Sequence, residues 1–310
     1  MSTITDSTEI KGRKVFFLHP SATVQNHIVT ELAQQEFEVY VVKDHKALWR
    51  VLREYTDAVV FADIDEVMRD AEWEKWAHDV KETLPDVAVG IITTNKDEDL
   101  RNKYINSVKV HFFTAMKSDI HKVIAEFLEI LKTVNAKGRR KYIRATMEHE
   151  TAVTVNLPLN GVFIKGVIRD ISVVGIACSL ETDQILPKNS FFKDVQIKLQ
   201  TTLLNVEVIV FGARMDGDSK IYVLLFTQRI DPEAKTKIRK YIQQNLQRKI
   251  DAELKAVPPP PPKAEAKPKS EDEAKSEDKA KDEAKPETEA KPEAKANPEA
   301  KTKPEAKTKA

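Results

Sequence analysis

A single cysteine, Cys178, stands in 310 residues. No internal disulfide can staple the chain, and a reducing compartment suits it. Glycine totals only 8, and no glycine-rich loop of the phosphate-cradling kind is found. Histidines and the cysteine show no metal-ligand spacing, and no nucleophile–base pair stands out. An enzyme, a metal site and a resident cofactor are therefore not expected. No apolar run approaches the roughly 20 residues needed to cross a bilayer, and the opening "MSTITDSTEIKGRK" has no apolar core of the signal-peptide kind. Neither charge sign predominates, with 50 Lys and Arg against 49 Asp and Glu. Bulk attraction to nucleic acid or to an anionic membrane is not indicated, so a basic site has to be local. A soluble cytoplasmic protein is expected.

Aromatic and large aliphatic side chains are missing from 255–310 apart from Val257. Five prolines beginning at Pro258 lead into a run of Lys, Glu, Ala and Pro of mixed charge. Such a segment has too little apolar surface to offset its ordering entropy, and a disordered, solubilising or spacing tail is expected.

What is present begins with alternation. Between 14 and 134, short apolar runs ("VFFL", "VYVV", "AVVF", "VGII", "VHFF") are separated by amphipathic stretches such as Val24–Leu32, Lys46–Tyr55 and Ile120–Leu131. Strand and helix in turn predict an α/β domain with a parallel sheet and helices on both faces. Trp73 and Trp76, one helical turn apart, read as packing, and His19 as a turn residue. The third run ends "VVFADID", with two acidic residues, Asp63 and Asp65, at its close.

Beyond 137 the period changes. "TAVTVNLPL", "GVFIKGVI", "GIACSL", "VQIKL", "NVEVIVFGARM" and "IYVLLFTQ" are β-rich and are divided by turns such as "PLNG" and "MDGDSK". With no helix between them they predict a six-stranded antiparallel barrel. A helix follows over Pro232–Leu254, with Asp231 as N-cap and Pro232 at its first position. Ile238, Tyr241, Ile242, Leu246 and Ile250 recur on one of its faces. This helix either caps the barrel or pairs between protomers. Cys178 is expected to point into the barrel as a small apolar residue.

One stretch does not fit a plain strand. "VIRDISVVGIAC" interrupts its apolar pattern with Arg169, Asp170 and Ser172 before Gly175. Upstream, "GRRKYIR" places Arg139, Arg140 and Arg144 just ahead of the first barrel strand. Taken singly, Asp170 and Ser172 are an Asx-type turn and the arginines a solvated linker. Taken together they can form a binding site for something polar and flat. Arginine bridges guanine O6 and N7, grips phosphate and stacks on a purine face. Asp170 can accept from guanine N1–H and N2–H, Ser172 can bond a phosphate or a base edge, and Gly175 allows close approach or a positive φ.

Arg140 and Arg144 as RxxxR, then Asp170, Ser172 and Gly175 as DxSxxG 26 residues later, with six strands, "LLF" at 224–226 and the final helix, resemble the PilZ domain family. The resemblance covers 137–254 and implies a receptor for the bacterial second messenger cyclic di-GMP. It also implies a protein partner in motility, flagellar rotation, polysaccharide synthesis or virulence. In that family an arginine at the place of Arg139 accompanies binding of two intercalated messenger molecules. The arginine arm, joining the two domains, is expected to order on binding and change their arrangement.

The domain at 14–134 resembles the receiver of bacterial response regulators. That family phosphorylates an Asp at the end of the third strand with help from Mg²⁺, which makes Asp63 and Asp65 candidates, with Thr94 and Lys117 near the switch and phosphate-contacting positions. After the first strand, however, stands "FLHPSAT", with no acidic pair to hold a hard cation. A degenerate receiver used as an interaction surface is expected. A phosphorylation-driven regulator with the barrel as its output, and a ligand-free scaffold, are the alternatives.

Overall fold

A computed structural model describes residues 12–116, 119–147 and 152–256. Lys117 and the tail beyond Ala256 lie outside the described residues.

The first five strands are β1 (Val15–Leu18), β2 (Val39–Val42), β3 (Val59–Asp63), β4 (Ala88–Thr93) and β5 (Phe112–Ala115). All pair in parallel, in the order β2-β1-β3-β4-β5. β1, β3 and β4 are buried at every position, as a parallel sheet covered on both faces requires. Their near-continuous apolar runs follow from that.

Helices alternate with these strands. α1 (Thr30–Gln34) continues a π-helical segment, Val24–Val29. α2 (His45–Val51) starts at Asp44, whose carboxylate accepts from Lys46 N and Ala47 N at 2.8 and 2.9 Å. α3 (Asp70–Thr83) buries Trp73, Trp76, Ala77 and Val80. α4 (Glu98–Asn102) runs into a second π-helical segment, Lys103–Val108, and α5 (Ile120–Thr133) is capped by Asp119. One core, around Trp73, Leu48 and Tyr104, fills the α2 and α3 side of the sheet. Another, around Phe17, Phe61 and Phe127, fills the α1 and α5 side. Trp73 and Trp76 meet edge to face with ring centroids 5.9 Å apart, so both pack.

The remaining strands are β6 (Ala145–Thr146), β7 (Val153–Leu159), β8 (Val162–Ser172), β9 (Gly175–Leu180), β10 (Phe191–Leu199), β11 (Thr202–Asp216) and β12 (Ser219–Phe226). The ladder runs β8-β7-β10-β11-β12-β9 and closes because β8 also pairs with β9. A six-stranded antiparallel barrel results, with β6 added as a short flap on β8. Period-two alternation aims Val153, Val155 and Leu157 inward from β7, and Leu204, Val206, Val208 and Val210 from β11. The β7–β8 turn is "NG", with Asn160 and Gly161 at φ 52 and 81, the left-handed pair that a tight hairpin prefers. Cys178 is fully buried in the barrel core, and burial pushes its thiol up to about 12.

α6 (Pro232–Ala256) begins at Asp231, which accepts from Glu233 N at 3.2 Å. Its apolar residues serve two cores. Ala234, Ile238, Tyr241 and Ile242 close one end of the barrel. Ile250 enters the α2 and α3 core of the first sheet, Leu254 packs beside it, and Leu246 touches both. Gln247 adds a polar clamp, its Nε2 donating to Val41 O at 2.9 Å and its Oε1 accepting from Val41 N at 3.0 Å. That amide takes up the outer backbone groups of Val41 on edge strand β2, which would otherwise be open to pairing. The helix thus caps the barrel and also fastens it to the first sheet, and the described residues from 12 to 256 belong to one compact unit. Among the described residues no helix is long and apolar enough to cross a membrane.

Candidate ligand-binding site

The irregular stretch in β8 is explained by a bulge. Ile168 faces Cys178 on β9, and Asp170 already faces Ala177, so Arg169 is an extra residue. Without the bulge, regular alternation through Arg169 would turn Asp170 inward and Ile171 outward. With it, Ile168 and Ile171 both lie in the core, while Arg169 is exposed and Asp170 partly so. A bulge re-aims side chains at a local cost in pairing. Here it brings a carboxylate to the barrel surface without surrendering an apolar core position.

β6 lies directly over this bulge. Ala145 pairs with Ile171 and Thr146 with Asp170, and Met147 N donates to Arg169 O at 2.7 Å. α6 secures the flap from the other side. Lys249 Nζ donates to Thr146 O at 2.6 Å and to Thr146 Oγ1 at 2.9 Å, while Met147 is buried with its sulfur 3.3 Å from the Tyr241 hydroxyl. The residue just before the flap is Arg144. Its Nη1 stands 3.7 Å from Asp170 Oδ2, with the two side chains 49% and 20% exposed. A pair this long and this open contributes about 1 kcal/mol or less, so its guanidinium is readily given to another anion.

Ser172 and Gly175 sit at the end of the same hairpin and are engaged with the protein itself. Ser172 is buried, its Oγ donating to Gly175 O at 3.2 Å and accepting from Val174 N at 3.4 Å. The hydroxyl closes the Val173–Val174 turn instead of standing open toward a base edge. Gly175 does not adopt a positive φ. A Cβ there would lie 2.4 Å from Leu224 O and 3.1 Å from Leu225 Cα. Glycine is required because β12 passes close by, which differs from the positive φ expected as one possibility.

The other two arginines diverge. Arg140 and Arg144 line a cleft of about 450 Å³ with Lys14, Glu36, Glu38, Tyr55 and Asp57 of the first domain. Arg139 lines a different cavity, of about 740 Å³, floored by Phe37, Leu128 and Leu131 and bordered by Lys132 and Lys137. Arg144, Asp170, Ser172 and Gly175 are thus brought to one lip of the barrel. Arg140 stands at the adjoining cleft, and Arg139 faces away toward α5.

Sequence reasoning missed three residues that place the arm: Lys249, Arg239 and Glu36. Arg239 donates from Nη2 and Nε to Glu36 Oε1 at 3.1 and 3.3 Å, and Ile143 N donates to Glu36 Oε2 at 3.2 Å. No motif marks them, although Glu36 occupies a left-handed position (φ 62) that glycine or asparagine usually fills.

At the strand ends of the first sheet, Asp63 is buried and accepts from Ser21 N at 2.8 Å. Burial raises its carboxyl above the usual range, against the opposing effect of the Ser21 hydrogen bonds. Asp65 accepts from the Thr93 hydroxyl and, at 2.8 Å, from Thr94 N. Both carboxylates are held by neighbouring donors. His19 turns the chain there at φ 52, and burial, then His45, holds its imidazole below the usual range. Among the described residues no cluster of three or more His, Cys, Asp or Glu is arranged to hold a metal ion.

Comparison with known proteins matches this chain in two separate parts. The isolated PilZ domain of YcgR from Escherichia coli, solved with c-di-GMP, is 16% identical over 38% of this chain and 99% of its own length, at a TM-score of 0.33. The longer YcgR chain, also solved with c-di-GMP, is 14% identical over 38% of this chain and 50% of its own length, at a TM-score of 0.33. A response regulator from Thermotoga maritima is 17% identical over 39% of this chain and 98% of its own, at a TM-score of 0.35. No curated protein matches. The family model for the PilZ domain matches residues 138–244, which span the arginine arm, the barrel and the first half of α6. Residues 138–244 thus match the PilZ domain family, and a five-stranded parallel α/β domain precedes them.

Proposed function

We propose that this chain is a receptor for cyclic di-GMP that transmits occupancy to a protein partner and performs no catalytic step. The barrel lip carries the site, with 14–134 as a degenerate receiver-like domain and 137–254 as the sensing domain. One observation supports this above the others: the flap that follows Arg144 is β-paired to the strand that carries Asp170, and the two charges stand 3.7 Å apart. A guanine offers acceptors at O6 and N7 and donors at N1 and N2. A forked cation beside an outward carboxylate complements both sets, and Arg140 from the adjoining cleft supplies a second cation for a ring phosphate. Ser172 and Gly175 then act by shaping the lip.

Arg139 faces α5 in this arrangement. A single molecule at the lip therefore needs no change in the arm, and a second requires Arg139 to turn back toward the barrel. α6 packs on both domains, so the signal we infer is a change of set across this joint, read by a partner in motility, flagellar or polysaccharide machinery of the cytoplasm.

The test is titration calorimetry of the full chain with cyclic di-GMP, with GTP and cyclic di-AMP as competitors. Saturable binding that neither competitor displaces, and that R140A R144A weakens, is expected. Equal affinity for all three nucleotides, or an unaltered affinity in the double variant, rejects the reading. The same titration gives one or two molecules per chain.

A further inference from the structure

Glu36 belongs to the first domain, yet both its carboxylate oxygens are occupied by the second. It follows α1 at φ 62 and its side chain is only 11% exposed. Oε2 accepts from the backbone N–H of Ile143 in the arm, and Oε1 from the guanidinium of Arg239 on α6. A left-handed position strains any residue with a Cβ, and such strain persists where surrounding contacts over-determine it. Three contacts do so here.

The location of the tie matters. Ile143 immediately precedes Arg144. On the other side, Ala145 and Thr146 are paired to β8 and Thr146 is gripped by Lys249. Arg144 is therefore held between two fixed points, one supplied by the barrel and its helix, the other by the first domain. Released from Glu36, the segment leading into Arg144 regains backbone freedom that binding must then remove.

We propose that Glu36 is a positioning residue for the cyclic di-GMP site, so that the receiver-like domain sets the affinity of the barrel lip through the arm backbone. The proposal rests on the functional reading above. It also supplies the route of the signal. If a docked first domain favours the arm position that binds ligand, bound ligand favours docking by the same factor. The first domain thereby contributes to ligand affinity without touching the ligand.

The experiment compares full-length wild type, E36Q and the swap E36R R239E. It measures affinity for fluorescent cyclic di-GMP, amide exchange at Ile143 and melting temperature. Losing a charge-assisted acceptor should weaken binding by E36Q about tenfold, with faster exchange at Ile143. The swap re-forms the ion pair between the first domain and α6, and so restores the melting temperature. It leaves the Ile143 N–H facing a cation, so affinity stays low. Wild-type affinity in E36Q overturns the proposal, and so does a swap that restores affinity together with stability, since domain docking alone would then suffice. If wild type itself binds no cyclic di-GMP, the functional reading fails. The hold on the arm is then judged by exchange alone, and unchanged exchange at Ile143 in E36Q refutes it.

Discussion

Replacing Gly175 by alanine separates a packing role for the DxSxxG glycine from a purely ligand-directed one. The added Cβ would stand 2.4 Å from Leu224 O and 3.1 Å from Leu225 Cα. Approaches below 3.0 Å are essentially never seen for a real Cβ, so β9 and β12 must part by at least about 0.6 Å. Both obstructing atoms are backbone, and no rotamer change relieves them. The movement acts on the ladder pair Gly175–Leu225 and on the bond from Phe226 N to Val174 O, 2.9 Å in the native barrel. Overpacking of this kind costs about 1–3 kcal/mol, and a chain of this size loses about 2–4 °C of melting temperature per kcal/mol. G175A should therefore melt about 2–12 °C below wild type in a thermal scan followed by circular dichroism. G212A is the control, because a Cβ at Gly212 meets nothing within 4 Å and its φ is not positive. A G175A protein that melts with wild type, or one no less stable than G212A, refutes the argument that β12 dictates glycine here.

Three further outcomes are expected. D170N substitutes an amide for a carboxylate that accepts guanine donors in the proposed complex, and should weaken cyclic di-GMP binding by about 1–3 kcal/mol, or roughly fivefold to more than a hundredfold. Calorimetry showing wild-type affinity would remove Asp170 from the site. Cys178, fully buried with its thiol pushed up to about 12, should react with a thiol reagent at pH 8 only as fast as the barrel unfolds. Rapid labelling of the native protein would contradict its placement. His19 is held below its ordinary value, chiefly by burial. The unfolded chain then binds more protons as pH falls through about 6.5, and stability is lost on that side by at most about 1.4 kcal/mol per pH unit. Urea titrations at pH 7.5 and 5.5 should show this loss in wild type and a smaller one in H19N, and equal losses would exonerate His19.

Much of the architecture is legible in residue order because it depends on local periodicity. Apolar runs flanked by amphipathic stretches specify a doubly covered parallel sheet. Alternation broken by "NG" specifies hairpins, since only left-handed residues suit that turn. The pairing of RxxxR with DxSxxG marks the PilZ domain for the same reason, as its spacing survives without coordinates. What residue order conceals depends on contacts between distant segments. The apolar face of α6 reads as one stripe, yet Ile242 and Ile250 enter different cores, because two domains happen to meet along its length.

The sequence alone determined the identity of the elements and the presence of forked cations and an acid–serine–glycine hairpin, because period and motif are properties of the chain. Tertiary structure decided where those groups point. The Arg169 bulge turns Asp170 outward, β12 demands glycine at 175, Arg139 faces α5, and Glu36 ties the arm to the first domain. Each depends on an atom from a strand or helix far along the chain, and no local pattern encodes how closely that atom approaches.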